Sequence, residues 1–349
     1  MLYNYGMTRI AINGFGRIGR LFLRQLLQSN LADSVEVVAI NDLGDIGNLA
    51  YLLKYDTVYR AFPRPIELKD GSLVVGQNTI KFFQEKDPTK LPWKDLNIDL
   101  VLESTGVFES YEKAKVHLDA GAKHVLITAP AKDEDGVLGN TVLVGVNDKD
   151  FGKCAITSNG SCTTNASAPV VSIMSETLGI KKALLNTIHA YTATQNLVDG
   201  PVKGNDFRRG RAGAQNISPS STGAAIAITR IVPELKGKFD GIAFRTPVIS
   251  GSAANITFLA GRPTTVEEVN QIFRDAAKTP RWKDILTVTE DQLVSSDIVA
   301  SPFGAIIDLK FTKVIDGDLV NVLSWYDNEY GYVSTLIKHL ERVVESIEA

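Results

Sequence analysis

The chain of 349 residues has few of the side chains that build disulfide frameworks and metal sites. Two cysteines, Cys154 and Cys162, are too few for a disulfide framework, and neither belongs to a CxxC pair. The four histidines show no metal-ligand spacing, so no metal site is predicted. No apolar run approaches the roughly 20 residues that cross a bilayer, and the opening MLYNYG is too short and too polar for a signal peptide. We therefore expect a protein of the reducing cytoplasm with no membrane partner.

A strong excess of charge of either sign is also lacking, since 37 Lys and Arg residues face 40 Asp and Glu residues. The net charge of -3 argues against a dedicated nucleic-acid site. The one densely basic run, FRRGR at 207–211, is interpreted as a solvated loop. The length exceeds the roughly 250–300 residues at which single hydrophobic cores stop growing, which predicts two domains.

Strand-like and helical segments alternate through about residue 157. VEVVAIND, IDLVLESTG and HVLITAP are near-continuous apolar strands, typical of a parallel sheet that is buried on both faces. The order predicts an α/β fold with a Rossmann-type doubly wound parallel sheet over 1–160. Longer strand-like stretches over 161–332 predict an α+β domain with a largely antiparallel sheet. An amphipathic helix over 333–349 is expected to pack back onto the first domain.

A glycine-rich turn follows the first predicted strand and opens the first predicted helix. Gly14, Gly16 and Gly19 form G-x-G-x-x-G, which permits a tight turn, close approach of the backbone to a pyrophosphate, and close helix–sheet packing. Asp42 follows the next strand at the distance expected for the acid that accepts the ribose hydroxyls. These features predict dinucleotide binding, with NAD favoured over NADP because a carboxylate repels a 2′-phosphate. The alternative for Asp42 is a cap of the following helix.

Cys162 lies in ITSNGSCTTNASAP, among hydroxyl and amide side chains instead of the apolar ones that surround a structural cysteine. This setting suggests a nucleophile, which needs an activator because the thiolate is the reactive form. His189, in NTIHAYTATQ, is the best candidate for that activator. The alternative is a structural histidine with satisfied hydrogen bonds. The sequence alone does not show whether the two residues are close.

Short motifs with a shared order extend from Ile10 to Tyr332. They are AINGFGRIGR, INDL, LLKYD, ESTGVF, SNGSCTTN, HAYTATQ, STGAA, PELKGK, FR at 244–245 and WYDNEYGY. Together they resemble the phosphorylating glyceraldehyde-3-phosphate dehydrogenases. The resemblance implies oxidation of glyceraldehyde 3-phosphate by NAD, with inorganic phosphate, to 1,3-bisphosphoglycerate in glycolysis or gluconeogenesis. Cys162 would carry a thiohemiacetal and then a thioester, with His189 activating the thiol and acting as general base.

The same resemblance implies the binding residues. Those for the cofactor are Asn13, Gly14, Phe15, Gly16, Arg17, Ile18, Gly19, Asp42, Leu43, Lys86, Ser104, Thr105, Gly106, Thr128, Asn328 and Tyr332. Asn328 would hydrogen-bond the nicotinamide carboxamide, and Tyr332 would lie near the ring. The residues for the substrate phosphate are Thr192, Thr194 and Arg245, and those for inorganic phosphate are Ser161, Thr163, Thr222 and Gly223.

The long segment from Asn196 to Ser220 resembles the family's S-loop, which lines the cofactor site of a neighbouring subunit and implies a homotetramer. Pro201 within it resembles NAD-dependent members.

Three features depart from the family pattern. Ala166 replaces a second cysteine that many members carry, and Pro169 leaves open whether a helix N-terminus reaches the nucleophile. The strand RTPVISGSAANITFLAG carries small residues, and Asn255 stands near the position where family members usually have an acidic residue. These changes leave open how tightly the substrate binds and how the subunits contact one another.

Rival interpretations remain at this point. An erythrose-4-phosphate dehydrogenase, or another phosphorylated-aldehyde dehydrogenase, would share the cysteine motif, and the former would split the thioester with water. An aspartate-semialdehyde dehydrogenase would pair cysteine and histidine but lack SCTTN and YDNE. A non-catalytic NAD- or RNA-binding protein on the same fold is a second class. Against that class, every matched chemical position carries the expected residue.

Overall fold

The computed structural model describes residues 7–348. The opening MLYNYG, and position 349 of the helix predicted over 333–349, lie outside the described residues. The chain forms two compact units. The first runs through Val142 and adds Asp148–Gly160 and the residues from Leu336 on, and the second comprises Leu143–Asn147 and Ser161–Thr335. Among the described residues, no helix has the length and apolar character needed to span a membrane.

The first unit is built on a nine-stranded sheet. Its elements are β1 (Thr8–Asn13), α1 (Arg17–Leu26), β2 (Val35–Asn41), α2 (Ile46–Lys54), β3 (Ile66–Lys69), β4 (Ser72–Val75), β5 (Asn78–Phe83), β6 (Leu100–Glu103), α3 (Tyr111–Ala114), α4 (Val116–Asp119), β7 (His124–Ile127), β8 (Gly139–Thr141) and β9 (Ile156–Ser158). The strand order is β3-β4-β5-β2-β1-β6-β7-β9-β8. All pairings from β5 to β8 are parallel, and only the β3–β4–β5 edge is antiparallel.

Apolar runs explain why the central strands take these places. Every residue of β6 is buried, and β1 and β2 are buried almost throughout, as expected for strands with both faces covered. This parallel sheet confirms the prediction of a doubly wound first half.

The second unit holds an eight-stranded sheet. Its elements are α5 (Cys162–Thr177), β10 (Ile180–Ala190), β11 (Ser218–Ser221), α6 (Ala224–Ile231), β12 (Phe239–Thr246), β13 (Ser252–Ala260), α7 (Val266–Ala276), β14 (Leu286–Thr289), β15 (Ala305–Asp308), β16 (Lys313–Ile315), β17 (Leu319–Tyr326) and the start of α8 (Tyr330–Glu348). The order is β11-β12-β10-β13-β17-β15-β14, with β16 beside β17. Only β10–β12 and β14–β15 pair in parallel, so the predicted, largely antiparallel sheet is confirmed.

Helix α5 answers the question that Pro169 raised. It begins at Cys162 and continues through the proline to Thr177. Ser161 is its N-cap and forms a capping box with Thr164, which satisfies N–H groups of the first turn. Val170, Val171 and Met174 on α5 are buried in the core of this unit. The nucleophile candidate therefore occupies the first position of a 16-residue helix.

Helix α8 begins at Tyr330, earlier than the predicted start at 333. The reason is Asp327, whose Oδ1 accepts hydrogen bonds from the backbone N–H groups of Glu329 and Tyr330. Only its residues from Leu336 on belong to the first unit. There His339 is buried, with Nε2 2.8 Å from Thr157 Oγ1 and Nδ1 3.2 Å from Asn159 Oδ1.

Candidate active site

A cavity of about 430 Å³ opens in the first unit at the carboxyl ends of β1, β2 and β6. Strand β1 lies between β2 and β6, so the chain crosses to the other side of the sheet here. In open parallel sheets such a switch point is where ligands bind. The cavity is lined by eight predicted cofactor residues, namely Asn13, Gly14, Gly16, Asp42, Leu43, Lys86, Ser104 and Thr105. The predicted residues outside its lining are Phe15, Arg17, Ile18, Gly19, Gly106 and Thr128, whereas Asn328 and Tyr332 belong to the second unit.

The three glycines of the first turn have three different reasons to be glycine. Gly14 has a φ of +94°, and a Cβ there would lie 2.6 Å from backbone atoms of Ser104 and Thr105. A Cβ on Gly19 would lie 2.3 Å from Gly14 O, so this glycine permits close packing of α1 on the strands. A Cβ on Gly16 would have no atom within 4 Å. The space beside Gly16 is therefore open, and no side chain caps the N-terminus of α1 there. This open space at a helix N-terminus fits the pyrophosphate of a dinucleotide.

Asp42 holds the glycine-rich turn and does not cap a helix. Its Oδ2 accepts a hydrogen bond from Phe15 N at 2.6 Å, and its Oδ1 accepts one from Gly44 N at 2.8 Å. The N-cap of α2 is Asp45, which accepts from Asn48 N. The alternative interpretation of Asp42 as a helix cap is therefore wrong. The Asp42 carboxylate therefore lies at the wall of the cavity.

A buried polar cluster beneath this cavity escaped the sequence analysis. Glu103, inside the ESTGVF motif, accepts hydrogen bonds from Asn13 Nδ2 at 2.6 Å and from Thr105 N at 2.8 Å. His117 Nδ1 accepts from Trp93 Nε1, so the proton on its other nitrogen can go to Glu103 Oε2, 3.0 Å away. The cluster orients Asn13 and Thr105, which line the cavity. Its distant members left no local signal, because they are brought together only by the sheet.

The thiol and the imidazole lie together in the second unit. Cys162 Sγ is 3.3 Å from His189 Nε2, close enough for a hydrogen bond to sulfur. Cys162 is at the N-terminus of α5, and His189 lies near the end of β10, opposite Arg245 in the register of β10 with β12. Cys162 as a residue is only partly buried.

Burial and charge determine how this pair ionises. Burial, and secondly the charge of Arg245, lower the pKa of His189 to about 3. Desolvation raises the pKa of the Cys162 thiol, and the charge of Arg245 and hydrogen bonds from Thr163 oppose that increase. Thiol and imidazole are therefore both neutral at neutral pH. A neutral imidazole can accept a proton, as a general base must.

Two groups compete for the other ring nitrogen of His189. Ala190 O lies 2.7 Å from Nδ1 and can only accept a hydrogen bond, whereas Arg245 Nη1 lies 2.7 Å from it and can only donate one. The carbonyl favours the tautomer with hydrogen on Nδ1, which leaves Nε2 free to accept the thiol proton. The guanidinium favours the opposite tautomer.

The predicted substrate-phosphate residues lie near an arginine that the sequence analysis did not assign. The hydroxyls of Thr192 and Thr194 are 3.0 Å apart, and Arg209 Nη1 donates to Thr194 Oγ1 at 3.0 Å. The charge of Arg209 also lowers the pKa of Arg245, after the larger effect of burial. Arg209 belongs to the FRRGR run, which was interpreted as a solvated loop. Arg209 Nη2 also donates to Ser220 Oγ at 3.3 Å, so its side chain is held by hydrogen bonds within this part of the second unit.

The four residues predicted to bind inorganic phosphate lie at the N-termini of two helices, α5 and α6. Ser161 caps α5, and Gly223 is the N-cap position of α6, where Thr222 Oγ1 accepts from Ala224 N. Thr163 is buried, and its hydroxyl lies 2.9 Å from Tyr326 OH. Its side chain is thus engaged within the protein.

Tyr326 is a further member of the site that the sequence analysis did not single out. Its hydroxyl lies between Thr163 Oγ1 and Thr187 Oγ1, and its ring meets the His189 ring edge-on at 5.9 Å. Burial raises the pKa of Tyr326, so the hydroxyl stays neutral. The signal was present in WYDNEYGY, which begins one residue before it.

Comparisons with known proteins agree with this geometry. Residues 8–111 match the family model described as glyceraldehyde 3-phosphate dehydrogenase, NAD binding domain. Residues 161–328 match the one described as glyceraldehyde 3-phosphate dehydrogenase, C-terminal domain. The chain belongs to the glyceraldehyde-3-phosphate dehydrogenase family. This membership confirms the resemblance drawn from the motifs, the prediction of an NAD-dependent oxidoreductase, and NAD as the cofactor.

Similar glyceraldehyde-3-phosphate dehydrogenases cover almost the whole chain. A protein of that name from Thermotoga maritima is 50% identical over 340 residues, which is 97% of this chain and 100% of that protein. One from Mycobacterium avium is 48% identical over 345 residues, or 97% and 99% of the two chains. One from Clostridium pasteurianum is 47% identical over 339 residues, or 96% and 98%.

Proposed function

We propose that the chain oxidises glyceraldehyde 3-phosphate with NAD and inorganic phosphate to 1,3-bisphosphoglycerate, and that Cys162 and His189 carry the reaction. The observation that supports these roles is the 3.3 Å approach of Cys162 Sγ to His189 Nε2 at the start of α5. The helix N-terminus adds N–H groups and a positive dipole end, which stabilise a thiolate and the oxyanion formed beside it.

The proposed reaction begins when the Cys162 thiol passes its proton to His189 Nε2 and the sulfur adds to the aldehyde carbon. The proton then moves to the carbonyl oxygen, which completes a thiohemiacetal. His189 next takes the hydroxyl proton while the carbon–hydrogen bond breaks and its electron pair leaves as hydride. NAD, when bound, supplies the acceptor for that hydride. Inorganic phosphate attacks the thioester, the carbon–sulfur bond breaks, and the leaving thiolate recovers the proton from His189 while the phosphate proton goes to solvent.

Arg245 has a double role in this proposal. With Thr192 and Thr194 it binds the substrate phosphate, and Arg209 adds a second charge beside Thr194. A phosphate on Arg245 would also draw the guanidinium from His189 Nδ1 and favour the tautomer that leaves Nε2 as the base. Inorganic phosphate is proposed to bind at Ser161, Thr163, Thr222 and Gly223. At Thr163 the backbone N–H in the first turn of α5 is the more suitable donor, because the Thr163 hydroxyl already contacts the Tyr326 hydroxyl.

In the first unit, the cavity beside the glycine-rich turn is proposed to bind NAD, with Asp42 selecting against NADP. We assign residues 1–160 with helix 333–349 to the NAD-binding domain and residues 161–332 to the catalytic domain. Asn328 and Tyr332 are proposed to contact the nicotinamide. A cytoplasmic location remains part of the proposal.

We also propose a homotetramer. The predicted S-loop carries Leu197, Val198 and Phe207 as strongly exposed apolar side chains, which a second copy would bury. A surface groove of about 740 Å³ in the second unit is lined by further apolar groups, among them Leu184 and Ile226, and a second copy of the chain is its proposed occupant. Sedimentation equilibrium on the dilute protein with NAD tests this assembly, and a monomer mass at micromolar concentration would refute it.

The activity itself is tested by NAD reduction with glyceraldehyde 3-phosphate, with and without inorganic phosphate. Turnover should require phosphate, and Cys162→Ser should abolish it while retaining NAD binding, because a serine hydroxyl is far harder to deprotonate than a thiol. Cys154→Ser is the matched control, since the Cys154 thiol donates to Ile156 O at 3.2 Å within the first unit and should be dispensable. Equal turnover without phosphate would favour hydrolysis of the thioester, as in an erythrose-4-phosphate dehydrogenase. Substantial activity in Cys162→Ser would exclude this thiol from the mechanism.

A further inference from the structure

Ser252 connects the strand of the catalytic histidine to Asn328. Its hydroxyl accepts a hydrogen bond from Ala190 N at 3.1 Å, one residue after His189. The same hydroxyl donates to Asn328 Oδ1 at 2.8 Å. Ser252 and Asn328 are both buried. The register places Ser252 at the first position of β13, opposite Tyr326 of β17.

The directions of these two hydrogen bonds follow from the chemistry of the groups. A backbone N–H can only donate, so Ala190 N makes Ser252 Oγ an acceptor, and the single hydroxyl hydrogen remains for a second partner. That partner is Asn328 Oδ1, which must then face Ser252. The amide NH₂ of Asn328 consequently points the other way, and the described residues offer it no acceptor.

We propose that Ser252 is a positioning residue that orients the Asn328 amide so that Nδ2 donates to the carboxamide oxygen of the nicotinamide. This inference rests on the proposed function, in which Asn328 contacts the nicotinamide. Without the Ser252 hydroxyl, the amide could rotate by 180° and present its oxygen instead. The same hydroxyl holds the backbone beside His189, so the orientation of the nicotinamide contact and the strand of the base depend on one side chain.

A neighbouring serine has a different function and provides the control. Ser250 Oγ donates to Asp327 Oδ1 at 2.9 Å. Asp327 is fully buried and also accepts from the backbone N–H groups of Ala300, Glu329 and Tyr330. These contacts hold the backbone of the turn before α8 but do not determine the rotation of the Asn328 amide. Ser250→Ala therefore removes an equally buried hydroxyl without affecting that amide.

The test compares two ligands by isothermal titration calorimetry. NAD carries the nicotinamide, and ADP-ribose lacks it but retains the rest. For Ser252→Ala we expect NAD to bind about fivefold more weakly, the effect of one neutral hydrogen bond, and ADP-ribose to bind as it does to the unmodified protein. Ser250→Ala should bind both ligands as the unmodified protein does. An equal loss for both ligands in Ser252→Ala, or no loss for NAD, would overturn the proposal.

A double-mutant cycle with Asn328→Ala tests whether Ser252 acts through the amide. In the Asn328→Ala background, Ser252→Ala should cause no further loss of NAD affinity, and an additive loss would contradict the proposal. If Ser252→Ala does not fold, Asn328→Asp gives the answer, since its carboxylate accepts from Ser252 but cannot donate to the carboxamide. That variant should weaken NAD and not ADP-ribose, and unchanged NAD affinity would refute the inferred donor. Turnover of the unmodified protein, measured separately, shows whether the proposed function itself fails.

Discussion

Replacing Gly16 by alanine should separate ligand binding from folding. The Cβ of the new residue would have no protein atom within 4 Å, and the backbone at Gly16 is extended, with a φ of −70° and a ψ of −156° near the edge of the region that alanine adopts. The folded chain therefore accommodates the methyl group. Because alanine restricts the unfolded chain more than glycine does, the free energy of unfolding should stay within about 1 kcal/mol of its original value or rise slightly.

The cost should appear when NAD binds. The methyl group would occupy the space through which the pyrophosphate reaches the N-terminus of α1. Losing two charge-assisted hydrogen bonds of about 1.5–3 kcal/mol each removes about 3 kcal/mol or more. That loss corresponds to an NAD affinity at least about 100-fold weaker, measurable by calorimetric titration.

Gly19→Ala is the matched control, since it adds the same methyl group three residues later. There the Cβ would lie 2.3 Å from Gly14 O and 3.2 Å from Ile12 Cγ2. Overpacking of this kind costs about 1–3 kcal/mol, so this variant should unfold at lower urea concentration. The reasoning would be refuted if Gly16→Ala lost as much stability as Gly19→Ala, or if it bound NAD normally.

Four further predictions concern single side chains. Asp42→Ala should narrow the preference for NAD over NADP in kcat/KM, whereas Asp45→Ala, which removes only the cap of α2, should leave the preference unchanged. His189→Asn should slow turnover by roughly 10²–10⁴ and shift alkylation of Cys162 by iodoacetamide to higher pH, since the thiol loses its base. Arg209→Ala should raise KM for glyceraldehyde 3-phosphate about tenfold or more, the effect of one charged hydrogen bond, with NAD affinity unchanged. Burial lowers the pKa of His339 to about 3, so the unfolded chain binds a proton more readily there. The free energy of unfolding should therefore fall by about 1.4 kcal/mol per pH unit between pH 6.5 and about pH 3, and His339→Gln should remove that contribution from the acid limb of stability measured by urea unfolding.

Each of these predictions has an outcome that contradicts it. Equal use of both cofactors by the unmodified protein would count against Asp42 as the selector. An unchanged alkylation profile would mean that His189 does not tune the thiol. If Arg209→Ala left the KM for the substrate unchanged, Arg209 would have no role in substrate binding and would be only a solvated loop residue. For His339, an acid limb of the same slope in the Gln variant would show that its titration is not linked to folding.

The sequence determined those features that depend on neighbouring residues. Near-continuous apolar runs predicted the buried parallel strands, because strands covered on both faces tolerate few polar side chains. The spacing of Gly14, Gly16 and Gly19 predicted the turn at the cavity, since backbone conformation and space near a turn are local properties. The polar surroundings of Cys162 predicted a reactive thiol. Each signal lies within one short segment.

Only the tertiary structure decided which distant side chains meet. The register of β10 with β12 places His189 opposite Arg245, and the register of β13 with β17 places Ser252 opposite Tyr326. Whether Cys162 begins a helix also depended on tertiary packing, which stabilises α5 through Pro169 despite the backbone hydrogen bond that proline removes. A strand displaced by one residue would turn its side chains to the opposite face, and no local pattern encodes the pairing partner. The thiol and its candidate base were therefore recognisable from their own segments, whereas the contact between them, the second arginine and the serine behind Asn328 became identifiable only once the sheet had brought them together.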